Sequence, residues 1–262
     1  MREIEIEGYK SIPLDILKHF ADFCDSHEIS YYLAYGTLLG AVRHKGYIPW
    51  DDDIDVFMMR KDYELFRKLY QSERYPFVDL LLDKHHPVGM GKLYDSHTII
   101  RTYDKIYRKY GLFVDIFPLD TVPCDDRERK RWIDNVRKYL RLNSILNSSY
   151  GNDGKTGFFK RVASRILTRL PLSSLLHSHI EKLYTKYNNN DTGYVGVPIF
   201  KNNLKFPIQL FDSFQIVEFE NYSFKVMSGF DVVLQLCYGD YMQLPPVEKR
   251  IGIHKITAFY KD

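Results

Sequence analysis

Apolar residues recur along this chain with two periods, and the alternation between them lays out a succession of elements. Ile16, Leu17, Phe20, Phe23 and Cys24 repeat at helical spacing, with Ser11 placed as a cap and Pro13 near the first turn. The run ISYYLAY that follows is short and aromatic-rich, which predicts a strand; it leads into Gly36-Thr37 and a short helix from Leu38 to Arg43. KGYIPW reads as a loop, because Gly46 and Pro49 interrupt any regular pattern. IDVFMM at 54–59 has strand character, and RKDYELFRKLY at 60–70 returns to helical spacing through Tyr63, Phe66, Leu69 and Tyr70. FVDLLL, VGMGKLY, HTIIRTY and the strongly apolar LFVDIFPL at 112–119 predict further strands. From Asp125 the pattern turns helical, with a long helix over 126–148 and one or two more over 158–187. After Gly193 come short strands and turns, a helix near 231–238, and the segment YGDYMQLPPVEKR. The expectation is an α+β fold: a mixed sheet flanked by helices in 1–124, a mostly helical insertion in 125–192, and a small C-terminal part in 193–262 that completes the cleft.

Composition changes this picture little. Of 262 residues, 45% are hydrophobic and 27% charged, an ordinary globular balance for one large domain or a domain with an appendage. A net charge of +3 supplies no concentrated basic footprint and argues against nucleic acid as a partner. Cys24, Cys124 and Cys237 are too scattered for a metal knuckle or a disulfide framework, which suits a reducing compartment. Residues 1–11 are charged and polar, unlike a signal peptide, and no apolar run is long enough to span a bilayer; a cytoplasmic protein is expected.

The chemistry gathers around YGTLLGAVRHKGYIPWDDDIDV. A run of aspartates is ordinarily a solvated loop, but Asp53 and Asp55 alternate with Ile54 and Val56, so in an extended strand both carboxylates point to one face. Gly36-Thr37 sits upstream after its own strand, an arrangement that lets backbone approach a phosphate closely. Asp115 lies inside LFVDIF, where a lone buried carboxylate is costly unless paired, hydrogen-bonded or metal-bound. Three such carboxylates make an oxygen-only cage suited to Mg2+ or Mn2+, and without a cation they would repel one another. The expectation is a metal-dependent phosphoryl-transfer centre of Asp53, Asp55 and Asp115. Asp51 and Asp52 belong to the approach loop, to a restraint on Arg43 or Lys45, or to substrate binding.

The GTLLGAVRHKGYIPWDDDIDV run resembles the signature of the LicD family, a branch of the nucleotidyltransferase-like superfamily, and GLFVDIFPLD resembles that family's second motif. YGDYMQLPPVEKR with His254 resembles its C-terminal motif, so the likeness covers about 12–254. It implies a nucleotidyltransferase-like sheet and transfer of a phosphorylated alcohol, phosphocholine above all, from a CDP-alcohol donor such as CDP-choline to a sugar hydroxyl, with release of CMP. The implied acceptors are precursors of teichoic acid, lipopolysaccharide, capsule or related glycans, some of them lipid-linked. Asp53 and Asp55 match the family's paired metal acids and Asp115 the third, as shared ligand or as the group that orients or deprotonates the acceptor. The cysteine-based zinc insertion of eukaryotic relatives has no counterpart among three scattered Cys.

Arg43, Lys45, Lys92, Arg101, Lys249 and Arg250 are the candidate cations for the donor's phosphates, with Gly36, Thr37, Asp52 and His254 as further substrate contacts. FFKRVASRILTRL at 158–170 has an apolar face and a basic face, which fits a helix lying on an anionic membrane and fits equally a helix packed on its own domain. Two other readings stand beside the transferase: an enzyme moving NMP from an NTP with loss of pyrophosphate, and a non-catalytic scaffold, whose sign would be a missing metal acid. A calcium loop is excluded, since DDDID lacks the EF-hand spacing.

Overall fold

The structure, a computed structural model, describes residues 2–83, 86, 88–102, 110–147, 172–200, 204–250 and 256–261. Its centre is a seven-stranded mixed sheet in the order β1 (Tyr32–Leu33), β2 (Asp55–Met59), β6 (Phe113–Thr121), β4 (Gly91–Tyr94), β3 (Phe77–Val78), with β7 (Tyr194–Gly196) and β8 (Phe206–Pro207) continuing from the far end of β6. Among the described residues only β2 and β6 run parallel; the other pairings are antiparallel. Two ribbons lie outside that sheet: β9 (Phe214–Phe219) with β10 (Tyr222–Met227), and β5 (Thr98–Thr102) with β11 (Ile256–Tyr260).

Helices α1 (Ile6–Ser26) and α3 (Arg60–Leu69) cover the sheet with aromatic edges, Phe20 meeting Phe66 at 5.2 Å and Tyr31 at 5.2 Å. The core they close includes Ile16, Leu17, Phe57 and Ile116, all fully buried. The α1 expectation needs correction: the helix begins well before Ser11, and Pro13 lies inside it. Proline there removes one rung of the helical ladder, and in the disturbed turn the Tyr47 hydroxyl donates to the Lys10 carbonyl at 2.8 Å. FVDLLL is also shorter than expected, a strand over Phe77–Val78 only, because Asp79 turns the chain by accepting from the N–H groups of Leu81 and Leu82.

The expected mixed sheet, helical insertion and smaller C-terminal region are all present. The insertion contributes α4 (Asp126–Asn147) and α5 (Leu172–Tyr184), which close a second apolar cluster around Trp132, Val136, Ile180 and Tyr184. A buried ionic network joins it to the sheet. Arg60 grips Asp120 with two hydrogen bonds of 2.7 and 2.5 Å and reaches Glu181 of α5 at 2.8 Å. Arg67 links the same Glu181 to Asp79. Residues 158–170 lie outside the described residues, and among those described no helix is long and apolar enough to cross a membrane.

Candidate functional site

Parallel pairing of β2 with β6 sets Asp55 directly opposite Asp115. Three backbone anchors hold them. The Asp115 N–H donates to the Ile54 carbonyl at 2.9 Å, the Asp55 carbonyl accepts from Ala34 at 2.9 Å, and the Asp55 N–H donates to the Thr37 hydroxyl at 2.8 Å. Side chains two apart share a strand face, so Phe117 follows Asp115 along the same wall, and both line a cleft of about 380 Å3. Asp51, Asp53 and Asp55 line it too, with Tyr35, Gly36, Met90, Phe200, Cys237 and Tyr238. Asp53 is not on the strand as expected: β2 starts at Asp55, and residues 51–54 form an irregular lead-in that still delivers Asp53 to the cleft.

Helix α2 (Tyr35–His44) opens at this cleft. A Cβ on Gly36 would stand 2.5 Å from Asp51 Oδ2, so only glycine admits the carboxylate at this helix start. Tyr35, just before it, is held at φ 43, a left-handed conformation that costs a bulky residue about 1–3 kcal/mol. At the other end of α2, Lys45 closes the helix in the left-handed region, and the β9–β10 hairpin supports the loop beyond it. The Glu220 carboxylate accepts from Tyr47 N–H at 3.0 Å, while the Glu220 N–H donates to the Lys45 carbonyl at 2.9 Å.

Burial is the largest influence raising the Asp55 carboxyl well above its ordinary range, followed by the charges of Asp53, Asp115 and Asp51; Lys92 opposes the shift. Lys92 stands across from Asp115 in the β4–β6 register, and its ammonium pairs with Asp115 Oδ1 while resting 3.4 Å over the Phe113 ring. Burial likewise raises the hydroxyls of Tyr35 and Tyr238, reinforced in both by the Asp55 charge. Among the described residues, no three acidic, histidine or cysteine side chains already stand close enough together to hold an ion. Four carboxylates nevertheless face one cleft, and Asp55 is held toward its neutral form by burial first and then by the other three. An all-oxygen donor set under that repulsion fits a hard divalent cation.

Apart from Lys45, exposed at the end of α2, the candidate cations fall into three groups. Arg43 and Arg250 lie within each other's electrostatic reach, though neither is among the residues lining the cleft: Arg43 Nη1 donates to the Tyr241 carbonyl at 2.6 Å, and the Arg250 guanidinium lies 5.5 Å over Trp50. Burial lowers the Arg43 pKa, and Arg250 is close enough to lower it further. Lys92 is engaged by Asp115. Lys249 is exposed in a short 3-10 turn, and Arg101 sits on the β5–β11 ribbon with its guanidinium 4.7 Å over Phe259, not among the residues lining the cleft. Asp52 is half-buried in the lead-in, and His254 lies outside the described residues. The aromatic side of the cleft was not singled out from sequence, because a chain with 21 Tyr and 17 Phe hides four rings well. The one signal was Phe117, two positions after Asp115 on a strand.

Comparison with known proteins agrees with this geometry. Residues 28–147, which include all four cleft acids, match the family described as LicD/FKTN/FKRP, nucleotidyltransferase domain. The lipopolysaccharide cholinephosphotransferase LicD of Haemophilus influenzae is 32% identical over 99% of both chains. Shorter matches occur to uncharacterised proteins of Rickettsia prowazekii, 40% identical over 24% of each chain, and of Rickettsia typhi, 36% identical over 26% of this chain and 23% of the other. With a curated relative matched from end to end and the family's domain lying over the acidic cleft, the chain belongs to the LicD family.

Proposed function

We propose that this protein transfers a phosphorylated alcohol, phosphocholine first among the candidates, from a CDP-alcohol to a hydroxyl of a cell-surface glycan precursor, releasing CMP. The observation that carries the reading is the placement of Asp55 opposite Asp115 across two parallel strands, above a cleft that Asp53 also lines. The H. influenzae relative, named as a lipopolysaccharide cholinephosphotransferase, supports the choice of alcohol and of acceptor class.

Asp53, Asp55 and Asp115 are the residues that would hold Mg2+ or Mn2+. The bound ion would supply neutralisation of the diphosphate and of charge developing on the leaving group. The acids alone would repel an anionic donor, so they cannot be its direct binding surface. The Arg43–Arg250 pair takes that part, with Arg geometry suited to phosphate oxygens. Asp115, fixed by the Ile54 carbonyl and by Lys92, orients the acceptor hydroxyl and receives its proton as the bond to phosphorus forms. Lys92 keeps Asp115 aimed. Positioning and electrostatics carry such a transfer, so no separate nucleophile is required.

The test is incubation with a panel of CDP-alcohols, Mg2+ and glycan acceptors, with nucleotide products separated chromatographically. CMP should appear only when an acceptor is present, and Asp55→Asn and Asp115→Asn should each reduce its rate by about a hundredfold or more. Pyrophosphate release from CTP, with no CMP from any CDP-alcohol, would replace this reading with nucleotidyl transfer.

A further inference from the structure

We propose that the aromatic side of the cleft, formed by Tyr35, Phe117, Phe200 and Tyr238, is the subsite that receives an alkylammonium head group and so selects the alcohol; this rests on the CDP-alcohol reading above. Three of the rings make a preformed wall. Tyr35 meets Phe117 at 5.2 Å and Phe200 at 5.3 Å, both edge-on, and Phe117 meets Phe200 at 5.7 Å. Because each ring is held by the other two, little ordering is left for a ligand to impose. Tyr35 is also the residue held at φ 43, so the backbone is strained at one of the three rings, which is where a ligand clamp stores strain. Tyr238 comes from a different element, helix α6 (Phe230–Tyr238), and remains 44% exposed at the same cleft.

Charge decides what this wall accepts. Asp51, Asp53 and Asp55 all act electrostatically on the Tyr238 hydroxyl, and Asp55 acts on that of Tyr35, so rings and carboxylates lie within one another's field. A quaternary or primary ammonium finds the negative faces of the rings together with Asp51, the cleft acid outside the set that would hold the divalent cation. A polyol fits poorly. Of the wall's side chains, Met90, Phe117, Phe200 and Leu204 offer its hydroxyls no good partner, leaving the Tyr35 and Tyr238 hydroxyls for a polyol's several, and each unpaired hydroxyl would weaken binding. A cytosine ring stacked on the same wall is the competing occupant, and it differs in what the free nucleotide should feel.

Calorimetric titration with Mg2+ present separates these cases. CDP-choline, CDP-glycerol and CDP are each titrated into wild type, Phe200→Leu and Tyr238→Leu; both positions are partly exposed, and circular dichroism melting verifies the fold of each variant. Wild type should bind CDP-choline on the order of tenfold more tightly than CDP-glycerol. Both variants should lose most of that ratio while CDP affinity stays within about twofold. Equal binding of the two CDP-alcohols by wild type would overturn the subsite while leaving the donor class intact, as would equal loss of CDP and CDP-choline in the variants, which would assign the rings to the base. Failure of all three ligands to bind wild type would instead remove the CDP-alcohol reading itself.

Discussion

His86 is the most informative single position for testing how the floor of the cleft is held. It is fully buried, its Nε2–H donates to the Met90 carbonyl at 2.7 Å, and its Nδ1 faces the Tyr110 hydroxyl at 3.3 Å. Asn143 of α4 donates to its carbonyl at 2.8 Å, so the residue ties the insertion to the Met90 side of the cleft. Burial lowers its pKa from 6.5 to about 4, helped by Lys92 and opposed by the Met90 hydrogen bond, Asp79 and Asp83. The sign follows from proton counting. Above pH 6.5 the imidazole is neutral in both folded and unfolded chains, and its full contribution is present. Below that value the unfolded chain takes up a proton that the folded protein refuses, so stability falls until about pH 4. Between pH 8 and pH 5 the loss attributable to this group is about 2 kcal/mol. Urea unfolding of wild type and His86→Gln at both pH values isolates it: the advantage of wild type should shrink by about that amount at pH 5. A difference independent of pH, or a His86 imidazole NMR resonance, assigned by its loss in His86→Gln, titrating near 6.5 in the folded protein, would refute the reasoning.

Three further outcomes follow from the packing around the site. Arg60→Met strands Asp120 as a buried anion, leaving Glu181 to Arg67 alone, and should cost about 3–5 kcal/mol in urea unfolding, while Arg60→Met with Asp120→Asn should recover part of it. Lys92→Met leaves Asp115 without its counter-charge beside the other cleft acids, so the melting temperature should fall and Mg2+ should restore more of it than in wild type, read by thermal shift with EDTA as the control. Thr37→Val deprives the buried Asp55 N–H of its acceptor; a loss of about 1–3 kcal/mol and slower CMP release are expected together, and a stable, fully active variant would remove Thr37 as the positioning residue.

The sheet strands that frame the chemistry were legible because their apolar residues are uninterrupted, and Asp115 stood out as a carboxylate inside such a run. The same reasoning stopped short of Asp120. Once Asp55 is paired with Asp115 in parallel, a constant offset places Arg60 beside Asp120, which is how the ionic clamp forms. That inference needs the strand direction, which periodicity does not supply. Strand length misled in two places: Asp53 looked like part of β2 from alternation alone, and FVDLLL looked like a full strand until Asp79 turned it. Ser11 and Pro13 suggested a helix start by local chemistry, whereas tertiary packing extends α1 back to Ile6 and tolerates the proline. Long-range contributors such as Glu220, Tyr238 and Phe200 carry no local signal at all, since only folding brings them to the loop and cleft formed by residues 35–55.

The support that Glu220 gives to the 45–47 loop has a consequence for how the protein is made. Asp51, Asp53 and Asp55 are translated within the first quarter of the chain and Asp115 before its midpoint, yet the loop leading to the first three lacks the Glu220 brace until the β9–β10 hairpin has left the ribosome, and Tyr238 arrives later still. A nascent or prematurely terminated chain therefore carries all four carboxylates without a finished pocket around them. The cleft is completed only late in synthesis, and fragments released early lack its Tyr238 side.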